Sequence, residues 1–147
     1  MRAVVQRVTQ AEVLSEGELT GKIALGSCVL VGVGSEDDAA DATALADKVV
    51  NLRIFEDDAG KMNKSLRDVG GAVLAVSQFT LFGDTSRGRR PSFVGAMEPV
   101  RAEALFEAFC TACRGLGVRV ETGRFRTHMA VSLTNDGPVT LLLDTRK

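Results

Sequence analysis

Two short segments of this 147-residue chain carry polar groups where side chain and bare backbone could do chemistry together. The first is Ser77-Gln78-Phe79-Thr80-Leu81, which follows directly on the apolar run Gly71-Ala72-Val73-Leu74-Ala75-Val76. Such a run is expected of a strand buried on both faces. The Ser77 and Thr80 hydroxyls and the Gln78 amide therefore emerge where a buried strand ends, a common place for ligands in open sheets. The bland alternative is a strand exit whose polar groups are satisfied locally. The second segment is Asn135-Asp136-Gly137-Pro138-Val139-Thr140, set between Met129–Leu133 and Leu141–Leu143, both readable as strands. Taken alone it reads as a hairpin turn, because Asn-Asp-Gly-Pro is ordinary turn chemistry. A Gly-Pro bond also tolerates the cis form at only about 0.5–1 kcal/mol, and without a Cβ the main chain at Gly137 can approach a ligand closely.

Conventional hydrolytic machinery is hard to assemble around either segment. A nucleophilic serine, threonine or cysteine ordinarily needs an adjacent base, usually histidine, and His128 is the single histidine. Its setting, Arg126-Thr127-His128-Met129-Ala130, opens a strand and reads as a surface or hydrogen-bonding position. Thr80 is a rival nucleophile for which no base can be named. Cys110 and Cys113 form a lone C-x-x-C, but a structural zinc site takes about four ligands and a second pair is missing. Both cysteines fall on the apolar stripe of a helix with Leu105, Phe106, Phe109 and Leu116, where packing is the expected role. No spacing of His, Cys and carboxylates points to a metal-activated water. Neither a metal nor a cofactor is expected.

The elements that must position these groups are legible in outline. Pro99 suits the first turn of a helix that Gly115 or Gly117 can end. A second helix is predicted from about Asp38 to Asn51, starting at the Asp37-Asp38 cap, with Leu45, Val49 and Leu52 inward. The remainder reads as about eight strands, including Val4 to Val8, a hairpin around Glu16-Gly17 and the buried run Cys28 to Val33. The expected class is α/β, with residues 1–147 as a single domain. Its sheet is curled or barrel-like and mainly antiparallel, with about two α-helices packed on one side.

Charge and composition narrow the function. A formal net charge of −1 supplies no global basic field, and the chain has neither Tyr nor Trp for base stacking. Both facts weigh against a general RNA-binding module. Local basic groups remain at Arg87, Arg89 and Arg90, and at Arg124 and Arg126 around Phe125; each is a candidate phosphate contact or merely a solvated loop. No apolar run approaches the roughly 18 residues of a membrane span, and polar residues interrupt Met1–Arg7 before a signal-type core forms. Three cysteines, few and odd in number, suit a reducing compartment. A cytoplasmic protein without a membrane partner is expected.

Together the two polar segments resemble the signature motifs of D-aminoacyl-tRNA deacylases, enzymes that remove D-amino acids wrongly esterified to tRNA. Gln6-Arg7-Val8, Arg53-Ile54-Phe55, Gly60-Lys61-Met62-Asn63, Arg90-Pro91-Ser92-Phe93, Arg101-Ala102-Glu103 and Thr122-Gly123-Arg124-Phe125 are similar to that family in the same order. The resemblance spans essentially the whole chain and implies hydrolysis of D-aminoacyl-tRNA, held by its 3′-terminal aminoacyl-adenosine. It implies a site lined by Ser77, Gln78, Phe79 and Thr80, with catalysis by main-chain groups and the RNA 2′-hydroxyl. An aminoacyl ester suits such a site: it is already activated, and the enzyme must add position and a few oxyanion donors. The resemblance further implies a homodimer in which a cis Gly137-Pro138 enters the site of the other subunit. There it excludes L side chains by rigid backbone, while D side chains point outward and glycine, including glycyl-tRNA mischarged on tRNA-Ala, is admitted. Arg7 would help hold this motif and Asn135 would belong to it. The edge at Thr140–Leu143 would suit pairing between copies, although an edge can equally be covered within one chain. No DNA partner is implied. The competing readings are a non-catalytic binder of nucleic acid or a small metabolite, and a serine or threonine esterase acting on small esters.

Overall fold

Apolar and polar residues alternate from Val4 well beyond Val8, and the chain uses that alternation in one long strand. The computed structural model, which describes residues 1–147, gives β1 as Arg2–Ser15. Glu16 and Gly17 then take φ of 49° and 79°, the two left-handed positions of a tight hairpin turn. The chain returns as β2 (Glu18–Ile23) and continues through β3 (Gly26–Gly32), α1 (Ala39–Asn51), β4 (Phe55–Glu56) and β5 (Met62–Lys64). After these come α2 (Leu66–Val69), β6 (Ala72–Ser77), a 3₁₀ turn (Phe79–Phe82), α3 (Pro99–Gly115), β7 (Val120–Thr122) and β8 (Met129–Asp144).

The sheet has the order β2-β1-β3-β6-β7, and β8 lies along β1 as well. β1 is antiparallel to β2, β3 and β8, whereas β3–β6 and β6–β7 are parallel. The mainly antiparallel sheet expected from the sequence thus carries a parallel arm. Parallel neighbours need long crossovers, and α1 and α3 lie in those two connections. The Lys22 N–H donates to Glu121 Oε1 at 3.4 Å, and a Cβ on Gly21 would sit 2.8 Å from the Thr122 carbonyl. β2 and β7 therefore approach closely enough to bring the sheet near closure as a barrel.

The two long helices pack against each other and against one side of the sheet. Leu45 and Val49 of α1 and Phe106, Phe109, Cys110 and Cys113 of α3 share a core with Val5, Val29, Val31, Val73 and Ala75. A second core inside the curl joins Val8, Val13, Ile23, Cys28, Leu74 and Val76. Asp38 caps α1, accepting from the Ala40 and Asp41 amides, and Glu98 caps α3 ahead of Pro99. One helix goes beyond the expected two. The four-residue α2 is set by Ser65 and Asp68, whose side chains each accept from the other's amide, with Leu66 buried beneath. The signal was present as Ser-x-x-Asp, but the segment is too short for hydrophobic periodicity to reveal it.

The hairpin turn that Asn135–Thr140 suggests when taken alone is not formed. Both flanks pair antiparallel with β1, in registers that shift between Gln6 and Val8 and again between Val8 and Gln10. Between the pairs Val8↔Asn135 and Gln6↔Thr140, β1 advances two residues and β8 advances five. The extra residues leave the ladder as a bulge, and the chain goes on in its original direction. Turn-forming residues here make an outward loop because β1 is long enough to pair with both flanks.

Candidate functional site

β6 ends at Ser77 because the next residues break the ladder. Gln78 takes φ −143° and ψ 81°, its N–H donates to the Val31 carbonyl at 2.8 Å, and the chain tightens into the 3₁₀ turn. A 3₁₀ start leaves its first amides without partners inside the turn, and the Phe79 and Thr80 N–H groups have no acceptor elsewhere in the chain. The Gln78 Nε2 donates to Thr80 Oγ1 at 2.5 Å. Gly32, at the end of β3, is what lets this turn pack so closely. A Cβ there would meet the Gln78 carbonyl and Leu81 Cβ, each at 3.0 Å.

Ser77, Gln78, Phe79 and Thr80 line a cavity of about 670 Å³ whose remaining wall is mainly apolar, with Met97, Phe106 and Phe125 among its residues. That size and mixture suit a small organic ligand oriented by a few polar groups. Phe79 is 59% exposed at the cavity and meets Phe93 edge to face, with ring centroids 4.9 Å apart. Arg126 is the only charged residue in the lining, and no histidine, cysteine or carboxylate reaches it. Thr80 accordingly has no titratable base beside it.

The second segment lies apart from that cavity. None of Arg7, Asn135, Gly137 and Pro138 lines it. Their geometry is nonetheless well determined by local bonds. Asn135 closes the bulge, accepting the Val139 N–H at 2.7 Å and donating to the Val139 carbonyl at 3.2 Å and Thr140 Oγ1 at 3.0 Å. Arg7, only 6% exposed, donates from Nε to the Asp136 carbonyl at 2.9 Å and from Nη1 to the Ile54 carbonyl at 2.8 Å. Its Nε also lies 3.5 Å from the Asp136 carboxylate. The Gly137–Pro138 peptide is cis, Gly137 has φ +134°, and both residues face outward, exposed.

The remaining candidates separate cleanly. Cys110 and Cys113 are fully buried, and desolvation pushes both thiols up to about 12, so neither is a ready thiolate at neutral pH. His128 is exposed, and its backbone pairs with Glu16 across the hairpin, outside the cavity. Arg124 is closed off by Glu18, with its two terminal nitrogens 3.1 and 3.0 Å from the carboxylate oxygens. A second, open hollow of about 480 Å³ between Asn51, Arg53 and Arg67 is wholly polar and offers no apolar wall.

The D-Tyr-tRNA(Tyr) deacylase family model matches residues 4–144, from β1 to the last residue of β8. The chain belongs to this deacylase family. It is 58% identical to the D-aminoacyl-tRNA deacylase of Symbiobacterium thermophilum over 147 residues, covering 100% of this chain and 97% of that one. Among solved structures it is similar to the c-Myc DNA unwinding element binding protein, at 40% identity with a TM-score of 0.91 and 98% of each chain covered. A probable eukaryotic D-amino acid tRNA deacylase shares the fold, with a TM-score of 0.83 at 18% identity over 97% of each chain. As a member of this family the protein is a hydrolase, a D-aminoacyl-tRNA deacylase acting in translational proofreading. Sequence reasoning finds Ser77–Thr80 because they abut an apolar run. It does not single out Phe93 and Met97 as cavity walls, or Gly32 as the seat of the 3₁₀ turn; no local pattern marks residues that meet only in the folded chain.

Proposed function

We propose that residues 1–147 form one deacylase unit, cytoplasmic, that binds tRNA and takes the 3′-terminal aminoacyl-adenosine into the cavity at Ser77, Gln78, Phe79 and Thr80. The observation that carries this reading is a cavity wall with unpaired main-chain N–H groups at Phe79 and Thr80 and no titratable base. Those amides stabilise the developing oxyanion, and the vicinal 2′-hydroxyl of the RNA assists the attack. Rigid donors of this kind supply charge stabilisation without reorganising. Chirality is then selected by a second copy of the chain. Gly137 and Pro138, clamped by Arg7 and Asn135, project outward from one subunit into the cavity of the other and exclude L side chains. Two features support this arrangement: the segment is rigidly held yet lies outside its own cavity, and Leu142 is 80% exposed on the nearby edge of β8. Glycine has no side chain to exclude, so glycyl-tRNA mischarged on tRNA-Ala is also a substrate.

The test is hydrolysis of D-tyrosyl-tRNA and L-tyrosyl-tRNA by the purified protein with a metal chelator present. Release of the D-amino acid alone is expected. Equal release of both, or chelator inhibition, would overturn the reading.

A further inference from the structure

Three of the chain's arginines sit in one exposed loop that the mechanism above does not use. Asp84 and Ser92 form an isolated antiparallel bridge, with N–H to carbonyl distances of 2.7 and 2.9 Å, so residues 85–91 leave the body as a closed loop. The Asp84 carboxylate is occupied within its base, accepting the Ser86 N–H at 2.9 Å. Arg87, Arg89 and Arg90 are exposed, and no carboxylate lies within ion-pair reach of any of them, in contrast to Arg124 with Glu18. Gly88, at φ +73°, lets the loop fold back between them. Residues 85–91 contain no acidic residue and Asp84 at the base supplies the one nearby in sequence, so three positive charges face one negative charge on a chain whose total is −1.

The loop is joined on both sides to residues that line the cavity. Phe79 and Thr80 lead into it through the 3₁₀ turn, and Phe93 follows Ser92 directly. Arg87 is three residues from Asp84 and Arg90 two from Ser92, at most about 10 Å and about 7 Å of extended main chain. The edge-to-face contact of Phe79 with Phe93 ties the two ends of the loop together at the cavity.

We propose that the loop 85–91 binds the phosphodiester backbone of the single-stranded RNA immediately upstream of the nucleoside held in the cavity, with Arg87, Arg89 and Arg90 as its phosphate contacts. The proposal rests on the reading that the cavity takes a 3′-terminal aminoacyl-adenosine. Each guanidinium can bond two phosphate oxygens, and such contacts give affinity without reading sequence. An acidic protein segment would match the charge but would not bring a polymer end to the cavity.

The test compares the native protein with the triple variant R87Q/R89Q/R90Q on D-tyrosyl-tRNA and on D-tyrosyl-adenosine, which has no upstream phosphate. Expected is at least a tenfold loss of kcat/KM on the tRNA with the adenosine ester cleaved as before. The slope of log affinity for tRNA against log salt should also fall by about 2, since each single-strand phosphate contact contributes roughly 0.7. Unchanged activity on tRNA, or equal losses on both substrates, would overturn the proposal. If the native protein cleaves neither substrate, the reading of the cavity fails, and tRNA binding alone still decides the loop. In that case a salt slope lowered by about 2 supports it, and an unchanged slope overturns it.

Discussion

Gly137 is the residue whose replacement discriminates best between a passive loop and a held device. Its φ of +134° is one that L side chains rarely adopt, and a Cβ there would lie 2.9 Å from Val139 Cγ2 and 3.0 Å from Arg7 Nη2. The methyl group of Gly137→Ala therefore strikes the clamp behind the loop. A strain on the order of 1–3 kcal/mol is expected in denaturant unfolding. With Arg7 displaced, discrimination between D- and L-tyrosyl-tRNA should weaken by about tenfold or more; unchanged rates on both would refute the assigned role. Thr80→Ala makes the opposite prediction. Thr80 accepts a bond from Gln78 and has no base beside it, so kcat should stay within roughly tenfold of native. A drop on the order of 10⁴-fold with intact tRNA binding would make Thr80 the nucleophile.

At the scale of elements, the end of the chain is tied to the start of α1. Thr145 donates to the Asp41 carboxylate at 2.6 Å and Arg146 to the same group at 3.0 Å; Arg146 also bonds Asp37 and the Glu36 carbonyl. The Thr145 hydroxyl is the foremost reason that the Asp41 carboxyl is held down to about 2, with the Asp38 amide bond and Arg146 adding to it. An unfolded aspartate titrates near 4. The folded state therefore binds this proton less tightly, and the resulting stability is full above about pH 4 and is lost as the pH falls towards 2. Thr145→Val should shrink the stability gained between about pH 2 and pH 5, as read by urea unfolding at several pH values. An equal loss at both ends of that range would show that the contact acts by packing alone.

The whole molecule has one edge that a second copy could use. β8 pairs with β1 on one side only, and Leu141 and Leu142 are 37% and 80% exposed there. Unpaired, partly apolar strand edges invite association. If two copies pair along this edge as proposed, the native protein should be a dimer by light scattering and Leu142→Lys a monomer. Because the Gly137–Pro138 motif would no longer reach a cavity, kcat/KM on D-tyrosyl-tRNA should fall by about a hundredfold or more. A variant that is monomeric and fully active would overturn selection across subunits.

The residues of the cavity floor, the two long helices and the buried strands were open to reading from the chain alone, because each rests on a local pattern. Val73–Val76 is apolar without interruption and Ser77–Thr80 follow it at once. Asp38 and Pro99 mark helix starts, and Cys110 and Cys113 fall on a buried stripe. Composition narrows any familiar hydrolytic triad to one built on His128, the single histidine, and the fold places that residue outside the cavity lining. The path of Asn135–Thr140 was not decided locally. The same residues make a hairpin turn or an outward bulge, and the choice lies with β1, whose length lets it pair with both flanks of β8. The cavity's apolar wall was also beyond local reading, since Phe93, Met97 and Phe125 come together only when the 3₁₀ turn, α3 and the approach to β8 converge. Sequence determines which residues want burial, a cap or a turn, because those preferences act over a few residues. Tertiary structure alone decides which of them share a cavity and which loop is held outward, because pairing register and packing couple residues more than a hundred positions apart.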